Sequence, residues 1–143
     1  MILRPLEDDR SARFAELFAE SMPPNADEIY DELGLTTELA AKLPRTVGEL
    51  RQIEEDGHVA GYVWLEHRER TLHIHALLLE EAFPGRGLGA RVLAELENEF
   101  CSRIDDVELG VLPENRRAVA LYERSGFQPI DERLGFLIMR KQL

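Results

Sequence analysis

Hydrophobic residues recur at helical spacing in two segments of the chain, at residues 12–18 and 88–100, and two further segments are also predicted to be helical. The first segment follows a short opening strand at residues 2–6, and Asp8 or Asp9 is expected to cap it, because a carboxylate accepts the free amides of a first turn. The other helices are expected at residues 26–43 with an interruption at Gly34, at Leu88–Phe100, and at 115–125 before Gly126.

Between residues 47 and 79 the hydrophobic period falls to two, which predicts three consecutive strands. Asp56 and Gly57 predict a hairpin turn between strands 47–55 and 58–67, and the third strand is expected at Thr71–Leu79. Further strands are expected at 107–112, 127–130 and 136–140. The order predicts one domain over residues 1–143, of the α/β class, with a mixed sheet of about seven strands and about four helices on its two faces.

The chain is strongly acidic, with 28 acidic and 17 basic side chains and a net charge of -11. A polyanion repels nucleic acid and anionic membranes, so we expect neither as a partner. The charge favours a cationic partner such as an amine, although acidic surfaces also simply maintain solubility. The single cysteine, Cys101, is expected to lie on the long helix and to point into the protein core. The opening residues lack the pattern of a secretory signal. We therefore expect a cytoplasmic protein.

A glycine-rich segment, Phe-Pro-Gly-Arg-Gly-Leu-Gly-Ala at residues 83–90, connects a predicted strand to a predicted helix. Glycines allow the backbone to approach a ligand, and the amides at a helix start are unpaired and carry positive potential. This pattern predicts a pyrophosphate site, although a tight turn without a ligand would use the same glycines. Its candidate residues are Gly85, Arg86, Gly87, Leu88, Gly89 and Ala90.

Two motifs resemble those of the GCN5-related N-acetyltransferase (GNAT) superfamily. Residues 77–89, Leu-Leu-Leu-Glu-Glu-Ala-Phe-Pro-Gly-Arg-Gly-Leu-Gly, are similar to its acetyl-CoA motif, which ends in Arg/Gln-x-x-Gly-x-Gly/Ala; here Pro84 stands at the Arg/Gln position. Residues 115–127, Asn-Arg-Arg-Ala-Val-Ala-Leu-Tyr-Glu-Arg-Ser-Gly-Phe, are similar to Asn-x-x-Ala-x-x-Leu-Tyr-x-x-x-Gly-Phe. The resemblance implies the GNAT acyl-CoA N-acyltransferase fold, acetyl-CoA as co-substrate, no metal, and acetyl transfer to a primary amine, with a small amine favoured.

His73 and His75 are two residues apart on a predicted strand and therefore project from the same face, roughly 7 Å apart. Imidazoles titrate near neutrality, so the pair predicts a proton relay, while two polar residues on a half-exposed strand or part of a metal site are alternatives. The resemblance favours catalysis. His73 falls where histone acetyltransferases of the superfamily carry a glutamate base, and the triplet is similar to the His-x-His of serotonin (arylalkylamine) N-acetyltransferases.

The resemblance also implies roles for four further residues. Tyr122 falls on the tyrosine that lies near the coenzyme sulfur, although it is also an ordinary core position. Asn115 falls on an asparagine that contacts the pantetheine arm, and it can equally cap a helix. The backbone of Leu77 and Leu79 is expected to bind the same arm, with the Leu79 amide on the thioester carbonyl. The resemblance further implies a bulge in the strand at Thr71–Leu79, which would separate it from the next strand and open a cleft in the sheet.

The resemblance also implies that the acceptor lies between the first two helices and the neighbouring strands. Tyr30, the acids around it (Asp27, Glu28, Asp31, Glu32) and Trp64 could hold a cation there. The alternative is that the acids form a solvated helix face while Trp64 packs in the core. Other functions also remain open: a non-catalytic acyl-CoA sensor of the same fold, a protein or peptide N-terminal acetyltransferase, and a small nucleotide-binding interaction domain. Dimers are frequent in the superfamily, so a homodimer is a further expectation.

Overall fold

The computed structural model describes residues 1–81 and 87–143, without the side chains of Thr37, Glu38, Ala41 and Arg45. Within these residues the strands are β1 (Ile2–Pro5), β2 (Glu49–Glu55), β3 (His58–Arg68), β4 (Thr71–Leu79), β5 (Asp106–Val111), β6 (Gln128–Arg133) and β7 (Phe136–Gln142). The described helices are α1 (Ser11–Ser21), α2 (Ala26–Glu32), α3 (Thr37–Thr46), α4 (Leu88–Phe100) and α5 (Arg116–Arg124), and a 3₁₀ turn at Asp8–Arg10 precedes α1.

All seven described strands form one mixed sheet in the order β1-β2-β3-β4-β5-β7-β6, which confirms the predicted fold class. Only β4 and β5 are parallel to each other, and the chain connects them through α4. The predicted helix at residues 26–43 is two helices, because Gly34 adopts a φ of 72° and ends the first of them.

Two local predictions near the chain start and the first hairpin had different outcomes. The Asp56-Gly57 turn is confirmed, with positive φ at both residues as the twist of a two-residue hairpin requires. The predicted cap by Asp8 or Asp9 is wrong. Both residues lie in the 3₁₀ turn, so the residue before α1 is Arg10, and α1 has no side-chain cap.

The core has two parts, one on each face of the sheet. Alternate residues of β3 point to opposite faces, so Tyr62 and Trp64 pack under α1 while Val63 and Leu65 pack under α4. The apolar face of α4 packs on one face of the sheet, and its buried residues extend from Leu88 to Phe100, as the hydrophobic spacing predicted. Cys101 lies just after α4 and is exposed, so the expectation of a core cysteine is wrong. None of the described helices is long and apolar enough to cross a membrane.

A bulge in β4 and the separation of β4 from β5 create an opening in the sheet. Trp64 of β3 lies opposite Ala76 and Leu65 lies opposite Ile74, so His75 is an extra residue in β4. A bulge bends its strand and increases the local twist. The pairing of β4 with β5 ends at Ile74, although β4 continues for five more residues. The far halves of the two strands therefore diverge, as the resemblance implied.

Candidate active site

A cleft of about 560 Å³ lies where β4 and β5 separate. It is lined by residues 73–78 of β4, by residues 108–112 in and after β5, and by side chains from α5 and from α1 to α3. This one cleft brings together five of the residues predicted to act in catalysis or coenzyme binding. They are His73, His75, Leu77, Asn115 and Tyr122.

The two imidazoles stack on each other in the cleft. The ring centroids of His73 and His75 are 6.1 Å apart, and the ring planes differ by 14°. His75 also contacts the Trp64 ring, at a centroid distance of 4.6 Å, and the Trp64 indole donates a hydrogen bond of 2.7 Å to the Val47 carbonyl. The His75 ring is therefore held between two aromatic neighbours. Within residues 1–81 and 87–143, no group of three or more His, Cys, Asp and Glu side chains could hold a metal ion.

Glu66 determines which nitrogen of His75 carries a proton. Its Oε1 lies 2.8 Å from Nε2 of His75, and a carboxylate only accepts hydrogen bonds, so Nε2 is the donor. In the neutral ring, Nδ1 then keeps the lone pair. The hydrogen bond from His75 and, after it, the charge of Arg68 hold the pKa of the Glu66 carboxyl below its ordinary value against partial burial. Glu66 therefore stays ionised beside the imidazole.

His73 lies between two carboxylates, opposite Glu66 on β3 and Glu108 on β5. Burial lowers the pKa of His73, and Arg68 and then His75 add to this effect, whereas Glu108 and Glu66 partly oppose it. Glu108 is itself paired with Arg140, at 2.7 Å. His73 is therefore neutral at neutral pH, with a lone pair available to accept a proton.

The sequence analysis did not select Glu66 or Glu108. For Glu66 a signal was present, because a short turn between strands 58–67 and 71–79 brings residue 66 close to residue 73. For Glu108 the signal is absent from the local pattern, since β5 comes to lie beside β4 only through the crossover of α4.

Tyr122 presents a buried phenol to the cleft from α5. Its side chain is 7% exposed, and its ring packs against Phe127 at a centroid distance of 5.9 Å. Burial raises the pKa of Tyr122 to about 12, because the phenolate would be poorly solvated there. The hydroxyl therefore keeps its proton across the physiological pH range.

Asn115 caps α5, as one of its two interpretations predicted. Its Oδ1 accepts a hydrogen bond of 3.2 Å from the Ala118 amide, and the residue also lines the cleft. The cap occupies the side-chain oxygen, so contact with a ligand would fall to the side-chain amide nitrogen.

The β4 backbone turns a free edge toward the cleft. The Glu80 amide donates to the Ala60 carbonyl of β3, and backbone groups alternate in direction along a strand. The amides of Leu77 and Leu79 therefore point away from β3, toward the side where β5 has separated. This direction supports the prediction that both bind an extended ligand, although the Leu79 side chain does not line the cleft.

Gly61 of β3 lies opposite Leu79 and allows β3 to approach β4 closely on the side away from the cleft. A Cβ at Gly61 would come within 2.4 Å of the Leu78 carbonyl oxygen, which is backbone and cannot rotate away. We expect Gly61→Ala to destabilise the protein by about 1–3 kcal/mol and to weaken ligand binding along β4. Urea unfolding measures the effect. Gly110→Ala is the control, since its Cβ would meet only side chains at 3.5 Å or more, and an equal loss in both variants would contradict the argument.

The structure describes only part of the glycine-rich segment. Pro84, Gly85 and Arg86 lie outside the described residues. Gly87 precedes α4 with a φ of 62°, and a Cβ there would meet no atom within 4 Å. The intrahelical hydrogen bond from Arg91 to Gly87 leaves the amides of residues 88–90 at the open end of α4. This geometry is compatible with an anion at the helix start.

The acids of α2 do not reach the cleft. Asp27, Glu28, Asp31 and Glu32 are exposed and none of them lines it, whereas Tyr30 and Trp64 do. The arrangement favours a solvated helix face for the acids. Trp64 is both a core residue, 8% exposed, and part of the cleft wall.

Comparison with known proteins agrees with the fold. The model of the acetyltransferase (GNAT) family matches residues 10–127. The chain therefore belongs to the GNAT acetyltransferase family, and the resemblance of its two motifs is confirmed. Of solved structures, the PaiA N-acetyltransferase from Thermoplasma acidophilum, in complex with coenzyme A, superposes with a TM-score of 0.72 at 17% identity, over 99% of this chain and 98% of that one.

Two relatives show more sequence similarity. The mycothiol acetyltransferase of Jonesia denitrificans is 29% identical over 140 residues, which is 92% of this chain and 43% of that protein. The N-alpha-acetyltransferase RimI of Mycobacterium tuberculosis is 31% identical over 122 residues, covering 82% of this chain and 72% of that protein. The chain spans less than half the length of the mycothiol acetyltransferases that it matches.

Proposed function

We propose that this chain is an acetyl-CoA-dependent N-acetyltransferase that transfers an acetyl group to a primary amine by direct attack on the thioester. The observation that carries the proposal is the placement of His73, His75 and Tyr122 around one cleft, where β4 and β5 separate. Family membership and the coenzyme A complex of the T. acidophilum protein support the choice of co-substrate.

The residues fit acetyl-CoA along its length. The backbone of Leu77 and Leu79 forms an edge for the pantetheine arm, as one strand accepts another, and Asn115 lies across the cleft from it. The diphosphate is assigned to the start of α4, with Gly85, Arg86, Gly87, Leu88, Gly89 and Ala90 as its binding residues. A Cβ at Gly89 would come within 2.7 Å of the Leu121 side chain, so this glycine also lets α4 pack close to α5.

The side chains then supply the proton transfers. His73 and His75 take a proton from the ammonium, directly or through water, which frees the nitrogen lone pair for attack on the acetyl carbon. The Leu79 amide is assigned to the carbonyl oxygen, where negative charge develops. As the new carbon–nitrogen bond replaces the carbon–sulfur bond, Tyr122 donates a proton to the departing sulfur. The second proton that the nitrogen loses then passes to the Tyr122 oxygen and restores the phenol.

Glu66 is a positioning residue in this scheme, because it acts through His75. We expect Glu66→Gln to lower kcat about tenfold with little change in KM. A glutamine side chain binds the His75 ring less strongly than a carboxylate does, and it carries no negative charge to stabilise the protonated imidazole. Steady-state kinetics in the wild-type and His75→Gln backgrounds measure the coupling. The loss should be largely abolished once His75 is absent. An equal loss in both backgrounds would show that Glu66 does not act through His75.

The experiment that tests the function is release of free thiol from acetyl-CoA over a panel of amines, together with calorimetric titration of acetyl-CoA. Binding with turnover supports an enzyme. Binding without turnover on any amine or peptide would leave a non-catalytic acyl-CoA sensor, and preference for ATP or NAD would overturn the proposal.

A second candidate is acetylation of a protein N-terminus, favoured by the 31% identity to the M. tuberculosis N-alpha-acetyltransferase. Peptides with free N-termini belong in the same panel. Faster turnover of such peptides than of any small amine would select this candidate.

A further inference from the structure

The wall of the cleft formed by α1, α2, α3 and β3 is apolar. Its side chains come from four separate elements and face the same space as the two histidines. They include Phe18, Met22, Ile29, Leu33, Leu43 and Trp64. Among the described residues of this wall, the polar side chains are Ser21, Tyr30 and, at the end of β3, Arg68.

The charged side chains that line the cleft are already paired within the protein. Among the described residues these are Arg68, Glu108 and Arg133, besides the two histidines. Arg68 contacts Glu66 at 3.1 Å, Glu108 contacts Arg140 at 2.7 Å, and Arg133 contacts Asp131 at 2.9 Å. A second ammonium, a carboxylate or a phosphate on the acceptor would therefore have to compete with an existing ion pair.

Polar hydroxyl groups on an acceptor would also be disfavoured at this wall. A hydroxyl that is removed from water without a partner loses its hydrogen bonds, and the aliphatic side chains and the Phe18 ring offer none. Burial of an apolar group at the same wall is favourable.

We propose that the acceptor is a primary amine attached to an apolar group, aryl or branched alkyl, which packs against the α1–α3 wall while the nitrogen faces His73 and His75. This inference rests on the proposed function, because it assigns the group that the amine carries. Recognition beyond the nitrogen is then hydrophobic rather than ionic.

The first experiment compares four amines that differ in what the nitrogen carries: phenethylamine, ethylamine, spermidine and glucosamine. We expect kcat/KM for phenethylamine to exceed that for each of the others by at least about tenfold, since a hydrophobic pocket discriminates by roughly this factor per missing contact group. Equal or faster turnover of spermidine or glucosamine would overturn the inference while leaving the proposed function intact.

A binding measurement separates the two proposals if turnover fails. Trp64 is the single tryptophan of the chain and lines the wall, so its fluorescence reports occupancy directly. Phenethylamine should change the emission at lower concentration than ethylamine does, with or without acetyl-CoA. The same response to both amines would overturn the apolar site. A selective response without thiol release would overturn the proposed function only.

Two exposed leucines provide a matched pair of variants. Leu33 is 55% exposed and lines the cleft, whereas Leu39 is 51% exposed and does not. We expect Leu33→Gln to raise KM for phenethylamine about fivefold to tenfold, and to raise KM for ethylamine by a clearly smaller factor, because ethylamine carries little apolar surface to lose the contact. Leu39→Gln should change none of these values. Equal shifts in the two variants, or an equal shift in KM for phenethylamine and ethylamine, would contradict an apolar contact at Leu33.

Discussion

Replacing both His73 and His75 by glutamine should lower kcat at neutral pH by about 10²–10⁴-fold, the usual contribution of general acid–base catalysis. At neutral pH an alkylamine is almost entirely protonated, so attack requires that a base remove a proton. Above about pH 10 most of the amine deprotonates unaided, since its pKa resembles that of lysine, and the loss should then be much smaller.

The wild-type pH profile carries a second expectation. Burial lowers the pKa of His73, and the neutral imidazole is the form that accepts a proton. On the acid side, kcat/KM should therefore begin to fall at a pH below the ordinary pKa of histidine. Activity should be lost only as the pH drops through the lowered pKa of His73. The groups that act on His73 are Arg68 and Glu66 on β3, Glu108 on β5, and His75 on its own strand.

The matched control for the histidine pair is His58→Gln, which changes an exposed residue at the start of β3. It should leave the entire pH profile unchanged. Thermal unfolding of each variant separates lost chemistry from lost structure. A double variant that loses activity by the same factor at every pH would disprove the relay.

The substitution Tyr122→Phe should lower kcat about 100-fold while leaving acetyl-CoA affinity nearly unchanged. Phenylalanine keeps the ring that packs against Phe127 and removes only the hydroxyl. Without this proton donor, the sulfur must leave as a thiolate in a site that solvates charge poorly. Because the pKa of Tyr122 is raised to about 12, the wild-type profile should show no loss of the phenol between pH 7 and 10, a range that lies below that value.

Tyr30→Phe is the control for Tyr122, because Tyr30 lines the same cleft from α2. Stopped-flow detection of the released thiol gives kcat, and calorimetry gives the affinity for acetyl-CoA. A fall in affinity with kcat preserved would make Tyr122 a binding residue. Equal effects in the two variants would remove the case for a proton donor.

The predictions that were confirmed depended on short-range patterns. The period-two run at Thr71–Leu79 and the helical spacing at Leu88–Phe100 matched their elements at both ends, because each pattern is a direct record of which face is buried. The turn at Asp56-Gly57 followed from backbone conformations that few residue types tolerate. The Asp8 cap failed because the sequence does not distinguish a 3₁₀ turn from the first turn of an α-helix.

The chain order alone therefore determined the strands, the main helices, the two family motifs and the residue types of a candidate site, since all of these depend on neighbours in sequence. Only the tertiary structure decided how they act together. The bulge at His75 parts β4 from β5, Glu66 orients the His75 ring, and burial sets the protonation of His73 and Tyr122. These properties depend on distance and on exclusion of water between residues far apart in the chain, and a linear pattern does not contain either quantity.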